Sequence, residues 1–392
     1  MKKQKQKDFK KYLSSRVNVP ASGIRRFFEL VIGMEDVISL GVGEPDFVTP
    51  WHIREACIYS LEKGHTTYTS NYGLLELREE ISKTFIKDYS VYYNPENEIL
   101  ITTGVSEGLD LAIRAIVNLG DEVIIAAPSY VSYAPDVIFA GGNPVIVSTK
   151  MENNFKLTSE SIEEKITSKT KAILINYPNN PTGAIMEKKD FEEIADLVVE
   201  HDLIVISDEV YDKLTYEGKH TCFSSLNGMQ DYTILLNGFS KSHAMTGMRL
   251  GYAIGNYEII NAMMTIHQYT MLCAPITAQM AAIEALKNGE SEMKKMVREY
   301  DRRRRVIVKG LNKIGLYCFE PKGAFYAFPS IQMEGNKMTS EEFSERLLKE
   351  QKVAVVPGNA FGDCGEGFLR LSYATSLHDI KVALERMEAF IG

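Results

Sequence analysis

Residues 171–209 read KAILINYPNNPTGAIMEKKDFEEIADLVVEHDLIVISDE. KAILINY is a short run of Ile, Leu and Tyr that does not alternate with polar residues, the pattern of a strand buried on both faces. A turn of Pro, Asn and Gly follows. From Lys188 to Glu200 the apolar residues fall at Phe191, Ile194, Ala195, Leu197 and Val198, the spacing of one helix face. LIVISDE is then a second buried strand. A strand, a covering helix and a strand, with both strands apolar throughout, predict parallel pairing in a sheet covered on both faces.

The same grammar extends outward. EILITT (98–103), DEVIIAA (121–127), NPVIVST (143–149) and TILLNGF (233–239) read as further buried strands, and Glu107 to Val117 as a helix. The fold class is α/β, a mostly parallel sheet flanked by helices, running to about Asn288. Beyond a charged helix from Ser291 to Ile314 the pattern changes. Strands are expected at YCFE (317–320), AFYAF (324–328), VAVVP (353–357) and FLRLSYA (368–374), with helices at Ser340 to Glu350 and Ser376 to Phe390. This is a smaller α+β domain. The expected division is a large domain over 48–288 and a discontinuous small one over 1–47 plus 289–392.

At 392 residues the chain has the length of two domains, and 45% hydrophobic with 24% charged residues excludes a disordered or disulfide-scaffolded chain. A net charge of −8 gives no global attraction to nucleic acid. The opening MKKQKQKDFKK has six lysines but no apolar run behind it, so a solvated arm is expected rather than a signal peptide. No segment has the length of apolar sequence needed to span a membrane. Five cysteines lie far apart without a C-x-x-C pair, which suits reduced thiols in a cytoplasm. The seven histidines are scattered, so no metal site is expected.

In open α/β sheets ligands bind beyond the carboxyl ends of the strands. Those ends carry Gly104-Val105-Ser106-Glu107-Gly108, Ser129-Tyr130, the Asn179-Asn180-Pro181-Thr182-Gly183 turn, Asp208 with Tyr211, and Ser240-Lys241. The first has two readings. As G-x-S-x-G between strand and helix it matches a nucleophile elbow, with Ser106 as the nucleophile of a serine hydrolase and Asp363 and His378 in triad order. As a helix N-terminus it is an anion site, with Ser106 as a further donor. A hydrolase has no use for the other groups. A cofactor with a phosphate, a ring nitrogen and an aldehyde would use them all: Asp208 at the nitrogen, Tyr211 and Asn180 at a ring hydroxyl, Tyr130 against the ring and Lys241 as the covalent anchor.

Read together, GVGEPDFVTP (41–50), YTSNYG (68–73), ITTGVSEGLD (101–110), APSYVSY (127–133), YPNNPTG (177–183), ISDEVYDKLTY (206–216), GFSKSHAMTGMRLGYAIG (238–255), PKGAFYAFP (321–329) and FLRLSYA (368–374) resemble one family. They are similar to the pyridoxal-phosphate-dependent class I/II aminotransferases of fold type I, in the branch holding aspartate and aromatic aminotransferases.

The resemblance implies pyridoxal 5′-phosphate as cofactor, with Lys241, Asp208 and Tyr211 as catalytic residues. Val105, Ser106, Ser240 and Arg249 then serve the phosphate, Tyr130 the ring, and Asn180 and Tyr211 the phenolic oxygen. Arg370, Gly43 and Asn180 would bind the substrate, Arg370 gripping its α-carboxylate. Tyr68 matches a tyrosine that reaches the neighbouring subunit's site, which implies a homodimer. The expected activity is transfer of the amino group of an L-amino acid, aspartate or aromatic, to 2-oxoglutarate by a ping-pong mechanism. A β-eliminating lyase of the same fold is the alternative within the family. Arg25 and Arg26 are candidates for a distal substrate carboxylate, and Met248 stands where the family usually has tryptophan.

Each residue also has a plain structural alternative. Lys241 reads as a solvated surface charge, Asp208 as a helix cap, Tyr211 as a core aromatic, Asn180 as a turn residue, and Arg249 and Arg370 as surface or edge-strand cations.

Overall fold

A computed structural model describes residues 9–20, 23–24 and 31–392. The first eight residues of the lysine-rich start, together with Arg25 and Arg26, lie outside the described residues. The strands are β1 (Ile38–Ser39), β2 (Ile99–Thr102), β3 (Glu122–Ala127), β4 (Asn143–Ser148), β5 (Thr170–Asn176), β6 (Ile204–Asp208), β7 (Thr233–Gly238), β8 (Gly251–Ile254), β9 (Tyr326–Ala327), β10 (Val353–Ala354), β11 (Val356–Pro357) and β12 (Leu369–Ser372).

The main sheet has the order β2-β8-β7-β6-β5-β3-β4. Every pairing in it is parallel except the two made by β8, which runs antiparallel to β2 and β7. The central strands bury both faces. On β5, Ile173 and Ile175 join the apolar cluster on one side while Ala172 and Leu174 join the other, and β6 divides Val205 from Ile206 in the same way. That two-sided burial is why these strands read as unbroken apolar runs. The helix Lys188–Glu200 buries the five residues its sequence singles out. It begins at a reciprocal pairing of Glu187 and Asp190 with each other's backbone N–H.

Several expectations need correction. GYAI, β8, was not anticipated as a strand. NPVIVST forms the outer strand β4 and leaves Ile146 exposed rather than buried. YCFE forms no strand; Cys318 makes only an isolated bridge to Pro329. VAVVP divides in two, β10 pairing with β1 and β11 with β12, because consecutive residues there serve different sheets. Among the described residues no helix is long and apolar enough to cross a membrane.

β8 matters for position. Gly251, its first residue, pairs with Thr102 at the carboxyl end of β2 and with Gly238 at that of β7. The chain just before an antiparallel strand therefore arrives at the rim where the parallel strands end. Arg249 is delivered there with Lys241, although the two leave and re-enter the sheet in opposite directions.

Candidate active site

A cavity of about 710 Å³ opens along this rim. At its floor, the end of β5 supplies Asn176 and the turn beyond it Asn180; the Asn180 backbone N–H donates to Asn176 Oδ1 at 3.0 Å. The end of β6 supplies Asp208, 6% exposed, and the following turn Tyr211. Asp208 accepts from the Tyr133 hydroxyl at 2.7 Å and from the Val210 N–H at 3.2 Å. Burial pushes its carboxyl up to about 6, the two hydrogen bonds opposing the rise.

Lys241 follows β7, and its Nζ donates to the Gly43 carbonyl at 2.6 Å. Burial, then the charges of Arg370 and Arg249, push its amine down to about 8, against the opposite pull of Glu44 and Asp208. It is not a solvated surface lysine.

At one end lies an anion cradle. The helix Val105–Ile116 starts at Gly104 without a side-chain cap, so its first N–H groups face the cavity beside Val105 and Ser106. Arg249 abuts this terminus so closely that a Cβ on Gly104 would sit 2.6 Å from its Nη2. Gly104 also has φ +79°, which glycine adopts without strain. A Cβ on Gly251 would lie 2.6 Å from the Val105 nitrogen. Two glycines thus let an arginine and a helix N-terminus meet, and Ser240 lines the same cavity.

At the other end is Arg370 on β12, only 2% exposed. Its Nη1 donates to Asn180 Oδ1 at 3.1 Å and its Nη2 to the Gly41 carbonyl, while Nε is buried without a partner among the described residues. A buried guanidinium with no carboxylate beside it among the described residues retains unspent charge and donor capacity, which suits an anionic ligand. Gly43 lines the wall between; a Cβ there would come within 2.6 Å of the Tyr326 hydroxyl.

All the residues expected at the site line this cavity except Tyr68, which is 80% exposed and outside it. Tyr130 is there, its ring edge-on to Tyr133 at 5.7 Å. Met248 packs at the margin of an apolar cluster.

The hydrolase constellation does not assemble. Ser106 lines the cavity, but Asp363 and His378 are exposed elsewhere, and among the described residues no histidine lines it. Sequence reasoning missed Tyr133 and Tyr326, which bond Asp208 and Tyr211 respectively. Both stand inside quoted motifs, APSYVSY and PKGAFYAFP, where nothing separates them from core aromatics.

The donor set fits pyridoxal phosphate. A dianion matches the helix terminus, Ser240 and Arg249; a pyridinium nitrogen matches Asp208; a ring oxygen matches Tyr211 and Asn180; an aldehyde matches Lys241.

A model of the class I and II aminotransferase family matches residues 35–387. The chain is 52% identical to the putative aminotransferase YugH of Bacillus subtilis, over 97% of this chain and 98% of that one. It is 48% identical to the aspartate aminotransferase of Pyrococcus abyssi, covering 96% and 97%. The solved structure of an aromatic aminotransferase from Pyrococcus horikoshii superposes with a TM-score of 0.89 at 48% identity, covering 94% of this chain and 98% of that one. The chain belongs to the class I and II aminotransferases and is an enzyme of the transferase class.

Proposed function

We propose that this aminotransferase uses pyridoxal 5′-phosphate to take the amino group from an L-amino acid, aspartate or aromatic, and pass it to 2-oxoglutarate in a ping-pong cycle. The observation that carries this reading is the convergence of Lys241, Asp208, an uncapped helix terminus with Arg249, and Arg370 in one cavity.

The cofactor, when bound, supplies an electron sink for charge developing on the substrate α-carbon. Lys241, with an amine already eased towards neutrality, holds the cofactor covalently and, once displaced, moves the proton from the α-carbon. Asp208 holds a positive charge on the ring nitrogen. Tyr211 and Asn180 donate to the ring oxygen, and Arg370 grips the substrate carboxylate with its planar fork. The serine and arginine at the helix terminus would hold the phosphate and so keep the cofactor in place beside Lys241 and Arg370.

The donor classes come from relatives named for aspartate and for aromatic substrates. Ile24, Val42 and Val131 give the cavity an apolar flank, which favours the aromatic donor of the two.

The reading extends to a cytoplasmic homodimer in which Tyr68 reaches the partner's phosphate site; the outward position of Tyr68 and five free cysteines support it. It also assigns residues 48–288 to the large domain and 1–47 plus 289–392 to the small one, supported by the parallel pairing of β1 with β10.

The test is the visible spectrum of the purified protein with each of the twenty amino acids and no oxo acid. A yellow band that collapses with aromatic donors or aspartate supports the reading. No band after incubation with pyridoxal phosphate overturns it, and pyruvate or ammonia release without an acceptor would favour a lyase.

A further inference from the structure

Two tyrosine hydroxyls in the cavity share one hydrogen bond: Tyr211 and Tyr326 lie 2.8 Å apart, both rings buried. Each oxygen carries one proton, so only one of the two can donate across that contact. Tyr326 also touches the substrate end. The Arg370 guanidinium carbon lies 4.7 Å from its ring centroid, and the Phe361 ring offers a second contact at 4.8 Å. The hydroxyl is confined on its other side by the Gly43 backbone, where a Cβ would fall 2.6 Å away. Tyr326 is thus joined to the tyrosine facing the ring oxygen and to the arginine facing the substrate.

We propose that Tyr326 is a positioning residue that sets the direction of the Tyr211 proton: its hydroxyl donates to Tyr211, so that Tyr211 donates to the cofactor's ring oxygen, while its ring supports Arg370. This rests on the reading of the cavity as a pyridoxal-phosphate site. The proton order follows from counting. If Tyr211 gives its single proton to the ring oxygen, its own oxygen is left as acceptor, and Tyr326 is the donor within reach. A hydrogen bond received by Tyr211 polarises its O–H and strengthens the bond it makes onward.

The consequence is spectroscopic. When the proton leaves the nitrogen linking Lys241 to the cofactor, negative charge concentrates on the ring oxygen. A strong donor at that oxygen favours the deprotonated form and lowers the pH at which the chromophore titrates. Removing the Tyr326 hydroxyl weakens the donor, and the midpoint must rise.

The experiment is a pH titration of the visible band in four cofactor-loaded proteins: wild type, Tyr326→Phe, Tyr211→Phe and the double variant. Tyr326→Phe is expected to raise the midpoint by about half to one pH unit. Tyr211→Phe should raise it at least as far, and the double variant no further than Tyr211→Phe alone, because the hydroxyl acts only through Tyr211. KM for the amino acid should change little in Tyr326→Phe, which keeps the ring, and rise in Tyr326→Leu, which does not. An unshifted midpoint in Tyr326→Phe with a normal band, or additive shifts in the double variant, would overturn the role of Tyr326. Absence of any band in the wild type would instead overturn the cofactor reading itself.

Discussion

Asp208 and Asp212 are four residues apart, both buried, and their carboxyls are displaced in opposite directions. Asp208 faces the cavity, where its direct partners are a neutral hydroxyl and a backbone N–H, and burial dominates. Asp212 faces away. Burial alone would raise it too, but the Lys213 ammonium 2.9 Å off, then His220, and the Tyr89 hydroxyl at 2.6 Å hold it below the usual carboxylate range. Lys213 is tied in turn to Asp88 at 2.8 Å, and Glu209 gathers His220, Ser207 and the Phe223 N–H. One turn of chain thus separates a compensated structural network from an uncompensated site. Charge left unpaired in a protein costs stability, so its persistence at Asp208, Lys241 and Arg370 marks where an external partner is to bind.

Replacing residues on either side of that divide breaks the comparison in different observables. The largest effect is expected from Lys241→Ala: turnover lower by about four orders of magnitude or more, with pyridoxal phosphate still bound noncovalently. Steady-state rates with equilibrium dialysis of the cofactor check both halves, and near-normal transamination would remove the assignment. Asp208→Asn comes next, with a loss of roughly 100- to 1,000-fold. The same change removes a buried charge that is held above its ordinary value. Between about pH 4 and 6 the folded protein binds more protons at Asp208 than the unfolded chain, so stability falls as pH rises through that window. At pH 8 the cofactor-free Asn variant should therefore melt higher than the cofactor-free wild type, by a few degrees on a calorimetric scan. Asp212→Asn should do the reverse: it leaves Lys213 with Asp88 as its one carboxylate partner among the described residues and costs about 1–3 kcal/mol of stability, seen in denaturant melts, while turnover of the folded enzyme drops less than tenfold. Equal behaviour of the two aspartates would mean the division between network and site is false.

The same contrast explains what the sequence could disclose. Strands β5, β6 and β7 were legible because two-sided burial writes itself as unbroken apolar runs. β8 was not, because GYAI is four residues of mixed size lodged by antiparallel pairing between the preceding strand β7 and the sequence-distant β2. YCFE and VAVVP look like strands but depend on partners that their own composition does not specify. In the site, Lys241, Asp208 and Arg370 stood out as charges at apolar strand ends or within an alternating strand. Tyr133 and Tyr326 did not. A buried tyrosine reads as packing until its hydroxyl is seen to meet Asp208 from 75 residues away or Tyr211 from 115. The Ser106 elbow erred for the converse reason. Chain order set a histidine and an aspartate behind it, and folding left both exposed elsewhere.

The smallest effect sharpens the comparison most directly, because it reads the uncompensated charge at Lys241 itself. The neutral amine attacks the cofactor's aldehyde, so the rate of loading cofactor-free protein follows the neutral fraction. With the amine pushed down to about 8 by burial and two arginines, that fraction rises roughly fivefold from pH 7 to 8 and levels off above pH 9. A lysine at its ordinary value near 10.5 would instead gain about tenfold per pH unit throughout that range. Stopped-flow loading at constant ionic strength separates the two curves. The sign for stability is the opposite of that at Asp208. Between about pH 8 and 10.5 the unfolded chain binds more protons at this lysine than the folded protein, so Lys241 makes the cofactor-free fold more stable as pH rises through that window. A levelling rate together with that gain would show that the site holds its lysine partly discharged before any ligand arrives, whereas a rate climbing steadily to pH 10 would place Lys241 with the compensated charges of the network.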